Sequence, residues 1–572
     1  MTRRSIRLCA TSAAVLVGTL VGIRVITWHP LPVLSTVVPD RFTRVSGVTH
    51  VHTIHSDGGG TVTDIAAAAD AAGLDFVVIT DHNNLAAKPE EGYNDSDILT
   101  IIGTEISNRE GHLLAVGLST PTYFFSGDGL DTLQDLNDLG GLGFAAHPSS
   151  PRQDLRWTGW NLPGDWGVEI LNGDSQWRAA GWISVLGAAL LYPLNNDYGL
   201  LSLMRKPAVL SQWDKLLTRR HATAIASSDA HGTLRWPPIP SLPLPSYEAQ
   251  FRIAQNYVLL EQPLTGRAPR DIQTILEALR HGRVYVGVSA LANTDRFFFI
   301  AERNGRRWTM GDTLPPAGPV QLKSGGALPS GAGTTLYRNG EVIIRTDGPL
   351  DAMVTDPGVY RVEVEVHGWN FPLVISNPIY VMTESERERR ARASSLPEPI
   401  TAVPTTMLDE LDSGTTFVAV ADETTALDFG FTEVGVNAVE RSSAQIAFTL
   451  GTPTSKNPSP YASLISYEPR DLSNHSGLVF SVKSDDTYRF WVQVRDRNPE
   501  AEEGTESWFA SAKTDNAWST VTVPFNQLQS ANQHTDGSLD LSDIKAIVFL
   551  IDTGAVPSNT PGVIWFDYLG AF

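Results

Sequence analysis

Five short pieces of this sequence concentrate side chains that hold metal ions. They are Thr49-His50-Val51-His52-Thr53-Ile54-His55-Ser56-Asp57-Gly58, Ile79-Thr80-Asp81-His82-Asn83, Gly103-Thr104-Glu105-Ile106-Ser107 with His112 close behind, Ala145-Ala146-His147-Pro148, and Ser227-Ser228-Asp229-Ala230-His231-Gly232. Imidazole and carboxylate are donors that zinc, manganese and ferrous iron share. Any one piece alone reads as surface, or as polar groups satisfied in a core. Five in order, nearly all where an apolar run ends, read as one metal site. The candidate ligands are His50, His52, Asp57, His82, Glu105, His112, His147, Asp229 and His231. That is more than one ion needs, and it implies two or three divalent ions. Cys9 is the single cysteine, so disulfides and thiolate zinc sites are excluded.

Clustered divalent ions lower the pKa of bound water, and two of them clamp a phosphate while hydroxide attacks in line. Such chemistry requires no protein nucleophile. Asp57, Glu105 and His231 are the candidate catalytic residues within the ligand set. Arg152, Arg178 and Arg235 follow ligand-bearing or neighbouring strands and are candidates for binding a substrate phosphate bidentately, as is Arg156. His55 sits three residues after His52, on the turn, and reads as a non-ligand. Asp81 faces away from His82 on its strand, where it is placed to orient a neighbouring ligand. Glu169 ends a strand; contact with substrate or with a ligand, and a structural role, are both open.

The elements that must position these groups alternate between strand and helix from Val45 to about Ile300. Strands are expected at Val45–Thr53, Phe76–Thr80, Leu99–Ile106, Leu113–Leu118, Leu142–Ala146, Gly167–Leu171 and Thr223–Ala226. Helices are expected at Asp64–Ala72, Leu130–Leu139, Ala208–Arg219 and Asp271–Arg280. Alternation implies a parallel sheet or barrel, whose C-terminal strand ends converge on one face. On a strand, residues i and i+2 share a face, so His50 and His52 would reach one ion together. Trp182–Met204 is apolar but broken by Pro193, Asn195 and Asn196, and reads as a buried helical hairpin or a lid.

In these motifs and their order, residues 45–300 resemble the PHP (polymerase and histidinol phosphatase) family. The resemblance implies a multidomain chain that begins with a distorted (β/α)7 TIM-like barrel of α/β class and a trinuclear metal centre. It implies that His50, His52, Glu105 and Asp229 hold one ion, that Glu105, His112 and His147 hold a second, and that Asp57, His82 and His231 hold a third. It also implies hydrolysis of phosphate mono- or diesters of small molecules, with zinc, manganese or iron. Some members trim nucleic acids, so an oligonucleotide-trimming nuclease is an alternative. A net charge of −20 and the lack of a basic stripe argue against long nucleic acid.

After residue 300 the texture becomes short alternating strands between Gly/Pro turns. Residues 301–382 resemble a small immunoglobulin-like β-sandwich, and 383–405 read as a linker. Residues 406–572 read as a second sandwich, resembling the galactose-binding-like jelly rolls of carbohydrate-binding modules and of complex I intermediate-associated proteins. Trp491, Trp518 and Trp565 are expected in its core. Aromatics on its surface would stack on sugar, and its acidic loops would hold calcium. A cell-surface glycan-binding protein with a metal-loaded scaffold is therefore the competing reading. Finally, Arg3, Arg4 and Arg7 precede an apolar run from Ala10 to Ile23. Residues 1–28 read as a signal peptide or a membrane anchor, giving a periplasmic, cell-surface or membrane-anchored protein.

Overall fold

The computed structural model describes residues 18–20, 22–34, 37–39, 41–125, 127–236, 239–398, 400–436, 439–501, 504–530 and 535–572. Cys9, Arg3, Arg4, Arg7 and the first half of the apolar run lie outside these residues. Among the described residues, no helix is long and apolar enough to cross a membrane. The chain forms two compact units, Met1–Ser119 with Gly127–Leu396, and Thr120–Ser126 with Pro397–Phe572.

Unit 1 is built on strands β1 (Thr43–Val48), β2 (Phe76–His82), β3 (Leu99–Asn108), β4 (Gly111–Val116), β5 (Leu142–Ala145), β6 (Trp166–Asn172), β7 (Ala224–Ser227), β8 (Gln255–Leu260) and β9 (Val284–Gly287), in the sheet order β9-β8-β1-β2-β3-β4-β5-β6-β7. Its helices are α1 (Val62–Ala71), α2 (Gly129–Asp138), α3 (Gly173–Ala179), α4 (Trp182–Leu191), α5 (Asn196–Leu201), α6 (Leu210–Leu217), α7 (Tyr247–Phe251) and α8 (Ala268–Arg280). Helix α1 shows why the sequence folds this way. Thr61 and Asp64 form a capping box, and Val62, Ile65, Ala66 and Ala69 bury one face at helical spacing. Strand β2 buries nearly its whole length, as a strand covered on both faces must.

The sheet curls back on itself without a final ladder. Ser228 N–H donates to Thr49 O at 3.0 Å, and His52 N–H to Ala230 O at 3.0 Å, so the end of β7 meets the loop after β1. Asn256 of β8 clamps Ala226 through both amide groups, and Asn377 does the same to Ala224. Side-chain amides thus satisfy backbone groups that neighbouring strands would otherwise pair.

The sheet is not uniformly parallel. Pairs β1–β2, β2–β3, β5–β6 and β6–β7 are parallel, while β4 runs antiparallel to both β3 and β5, and β8 to both β1 and β9. The cause is local. Only Arg109 and Glu110 separate β3 from β4, and a two-residue connection makes a hairpin, whereas a parallel neighbour needs a crossover. The expected strand Val45–Thr53 also stops early, at Val48, because His50 adopts a left-handed φ of 62°.

The expected 301–382 sandwich contributes a separate four-stranded sheet, Arg306–Thr309, Phe298–Arg303, Val320–Gly325 and Leu350–Val354. Its remaining strands, apart from Leu328–Pro329, continue the main sheet, because Pro372–Ser376 pairs with β9. Within the expected linker, Glu384–Ser394 is a helix capped by Thr383. Trp182–Met204 contains the helices α4 and α5; α4 buries only Ala188, so the expected buried hairpin fails there, while Leu201, Leu203 and Met204 are buried.

Unit 2 is a pair of six-stranded antiparallel sheets. Its core is phenylalanine-based, with Phe549 stacked on Phe566 at 4.6 Å and Phe480 tilted against Phe549 at 4.7 Å. Trp491, Trp518 and Trp565 are only partly buried and stand outside that core, contrary to expectation. Trp491 and Trp565 occupy strand positions whose alternate neighbours, Phe490 and Phe566, already fill the interior, and Trp518 lies just before the strand Ser519–Pro524.

Candidate metal centre

The curl brings all nine candidate ligands to one rim. His50 and His52 follow β1, Asp57 lies on the turn beyond, His82 ends β2, and Glu105 lies near the end of β3. His147 follows β5; Asp229 and His231 follow β7. His112 reaches the same rim from the opposite sense, since it opens the antiparallel β4 and pairs with Ser107. The i, i+2 argument for His50 and His52 fails in detail, because neither lies in a regular strand. Their rings nonetheless sit 5.0 Å apart, carried there by the kink at His50.

Glu105 is the hub, and its two oxygens face different partners. Oε1 lies 2.7 Å from His112 Nδ1 and 2.8 Å from His147 Nε2. Oε2 lies 3.2 Å from His50 Nε2, 3.4 Å from His52 Nε2 and 3.0 Å from His82 Nδ1. Asp229 Oδ1 lies 3.4 Å from both His50 Nε2 and His52 Nε2. On the open side, Asp57 Oδ1 lies 3.2 Å from His231 Nε2, 3.6 Å from His52 Nδ1 and 3.7 Å from His82 Nε2. Ligand atoms thus fall into four overlapping groups, each within 4.8 Å: His52/Asp57/His82/His231, His50/His52/Asp229, His50/Glu105/His147 and His82/Glu105/His112.

Three observations test whether these residues fit metal ions. First, His50 Nε2, His52 Nε2, Asp57 Oδ1 and His147 Nδ1 are buried without a hydrogen-bond partner, a costly state for a polar atom that is not coordinating something. Second, His50, His147 and Asp229 hold φ values of 62°, 28° and 50°, strain that persists where a site over-determines it. Third, burial opposes ionisation of Glu105, yet the pull of His50 and the bonds from His112 and His147 hold its carboxyl well below the usual range. Burial likewise opposes ionisation of Asp229, and His50 and His52 prevail. The donor set therefore presents negative charge to whatever occupies its centre, and the residues fit divalent cations.

The supporting residues are only partly foreseeable from sequence. Glu169 Oε1 accepts from His50 Nδ1–H at 2.8 Å, which turns Nε2 of that ring to the centre, and Oε2 accepts from the backbone N–H of His147 at 2.6 Å. Asn172 Nδ2 reaches Asp229 Oδ2 at 3.2 Å and Glu169 Oε2 at 3.1 Å. Asp81 accepts from Thr53 N–H, Thr53 Oγ1 and Ser56 Oγ, so it holds the loop behind His52 rather than a ligand directly. Tyr247 OH donates to the carbonyls of His52 and His231, and accepts from Gly59 and Gly60. No spacing signal marks Tyr247, which lies far along the chain. Gly58 is required where it stands, since a Cβ there would meet His52 O at 2.1 Å. His55 is exposed and belongs to none of the four groups.

The arginines are already engaged. Arg178 Nε and Arg152 Nη2 both pair with Asp174, at 2.5 and 3.3 Å, and Arg156 Nε donates to Ser150 O at 2.8 Å. The Arg235 side chain lies outside the described residues. Among the described residues of unit 2, no His/Asp/Glu group converges as these four do, so the calcium expected there finds no such cluster.

Residues 420–563 match the family model of complex I intermediate-associated protein 30. No curated protein matches the chain in sequence. Among solved structures, the chain is similar to a family 11 carbohydrate-binding module from Clostridium thermocellum in complex with a beta-1,3-1,4-mixed-linked tetrasaccharide, at 19% identity over 30% of this chain and 97% of that one, with a TM-score of 0.25. It is also similar to a two-domain protein containing a predicted PHP-like metal-dependent phosphoesterase from Bacteroides vulgatus, at 15% identity over 62% of this chain and 99% of that one, with a TM-score of 0.27.

Proposed function

We propose that unit 1 is a metal-dependent phosphoesterase of the PHP type, with a distorted (β/α)7 barrel, acting on phosphorylated small molecules outside the cytoplasm. One observation carries the reading: His50 Nε2, His52 Nε2 and Asp57 Oδ1 are buried without a hydrogen-bond partner among overlapping groups of ligand atoms, two of which share Glu105. Two or three divalent ions held there would lower the pKa of bound water and polarise a phosphate.

The chain's own residues supply order. Glu105 offers one oxygen to each side of the centre, which keeps its flanking groups at fixed separation. Glu169 accepts a hydrogen bond from His50 Nδ1–H, leaving Nε2 free to coordinate. Asp57 is the half-exposed carboxylate, so it and His231 border the side from which substrate enters. Asp174 holds Arg152 and Arg178 together as a paired cationic element for a substrate anion. Export rests on the apolar segment after Arg3, Arg4 and Arg7.

Purified protein should contain transition metal, and it should hydrolyse a generic phosphate mono- or diester with manganese or zinc, while Asp229→Ala should not. Equal hydrolysis by both proteins would sink the reading.

A second reading concerns unit 2. Trp491 is partly exposed, stands edge-on to Phe509 at 5.5 Å, and donates Nε1–H to Asp552 Oδ1 at 3.0 Å. Gln493 and Arg495 follow it on the same sheet face. An aromatic ring beside hydrogen-bonding groups suits a sugar. Full-length protein that elutes from polysaccharide columns no later than Trp491→Ala would remove that reading.

A further inference from the structure

The apolar hairpin of unit 1 has an unusual outer face. No charged residue lies between Arg178 and Asp197. Trp182, Ile183, Leu186, Ala189 and Leu190, with Leu194 beyond the helix end, recur at the spacing of one helix face, and that face points to solvent. Trp182 is 76% exposed, Ile183 68% and Leu190 68%. A contiguous exposed patch of this kind marks an interaction site.

The N-terminal apolar segment emerges beside it. Residues 22–26 are helical, with Leu20, Ile23 and Ile26 exposed. From there the chain is fixed into unit 1: Leu31 N–H donates to Leu291 O at 2.8 Å, and Val33–Leu34 pairs with Leu328–Pro329. The Trp28 ring meets Tyr198 edge-on at 5.6 Å, and Asn195 Nδ2 donates to Trp28 O at 3.1 Å. The chain that follows the N-terminal helix thus meets the hairpin at its Asn195–Tyr198 end.

We propose that unit 1 docks on a lipid bilayer through the outer face of α4. The occupant follows from the chemistry of the face. Protein interfaces carry about one hydrogen bond per 100–200 Å², and the indole N–H of Trp182, at one end, is the single polar side-chain group that the exposed residues of this face offer. Lipid asks for none, because the helix satisfies its own backbone. At ten residues α4 is about 15 Å long, half of a hydrocarbon core, so it lies in the membrane surface rather than spanning it. Trp182 at one end, with Tyr192 and Tyr198 at the other, supply the aromatic groups that favour that depth. The proposal stands apart from the metal reading and survives its failure.

The test uses the full chain with Cys9→Ser and one new cysteine, Leu186→Cys or Leu190→Cys, in vesicles of phosphatidylcholine and phosphatidylglycerol. The reference is Met353→Cys, 62% exposed on the small sandwich. A water-soluble maleimide should modify positions 186 and 190 about tenfold more slowly than 353, the factor expected for moving one Leu-sized side chain out of water. Equal rates at all three positions overturn the proposal. Protection at 186 accompanied by disulfide cross-linking of two Leu186→Cys copies also overturns it, in favour of a second copy as the occupant. Circular dichroism confirms that each variant is folded, and the two face positions back each other if one is not.

Discussion

Two clusters of buried charge in unit 1, one around Arg361 and one around Glu105, obey different rules. Arg361 forks onto Asp214, with Nε–Oδ1 at 2.6 Å and Nη2–Oδ2 at 2.7 Å, and its Nη1 meets Glu363 Oε1 at 2.7 Å. Lys206 Nζ and Tyr337 OH complete the second oxygen of Glu363 at 2.6 and 3.2 Å. Two carboxylates face two permanent cations, and the Arg361 guanidinium lies over Tyr337 at 4.2 Å. Around Glu105 the carboxylates face imidazoles instead, four ligand atoms stay partnerless, and three residues accept strained backbone. The first cluster is complete in the protein alone. The second is complete only with something added, and this contrast separates a structural network from a binding site.

Four experiments would break or sharpen the contrast. Asp214→Ala should destabilise the fold most, by roughly 3–5 kcal/mol, because it strands a buried guanidinium; urea titration measures it, and the loss should be the same with and without metal. Metal at about a hundredfold over its Kd should add about 2.7 kcal/mol to the wild type, seen as a raised Tm that a chelator reverses. Asp229→Ala should show no such rise. If Asp229→Ala is stabilised as much as the wild type, the Glu105 cluster is not what takes up the ion. Glu169→Gln should weaken metal binding by about 10–100-fold while leaving the metal-free fold intact, as loss of a ligand-orienting carboxylate does.

The smallest effect is one of pH. Burial opposes ionisation of Glu363, but Arg361 and Lys206 win and hold its pKa below the unfolded value. A depressed carboxylate contributes stability that is present above the unfolded pKa and fades as pH falls through the folded one. The stability gap between wild type and Glu363→Gln should therefore be widest near neutrality and narrow below about pH 4.5. A gap that stays constant in acid would show the pair to be neutral in effect.

Much of the Glu105 cluster was legible because its residues fall in short motifs at strand ends, where polarity changes abruptly from Ile79 to His82 or from Ala146 to His147. What hid was whatever depends on backbone conformation or on distant neighbours. His50 breaks its strand through a left-handed φ that no residue pattern announces. The antiparallel β4 was written in the two-residue Arg109-Glu110 turn, yet alternation of apolar runs drowned it. Tyr247 and Asn172 act through contacts from other elements. Trp491, Trp518 and Trp565 looked like core by size alone, but strand alternation around Trp491 and Trp565 gives the interior to phenylalanines, and Trp518 lies before its strand begins. Trp182–Leu194 looked buried because it is apolar, and composition carries no information on which side of a helix faces outward.

The pairing of Pro372–Ser376 with Val284–Gly287 has a practical consequence. A cut at residue 300, where the sequence texture changes, would bare the edge of Val284–Gly287 and remove the Asn377 clamp on Ala224 and Val284. An uncovered edge pairs with whatever strand it meets. The smallest fragment of unit 1 worth expressing therefore runs through the small sandwich to the helix ending at Ser394, and shorter ones should precipitate.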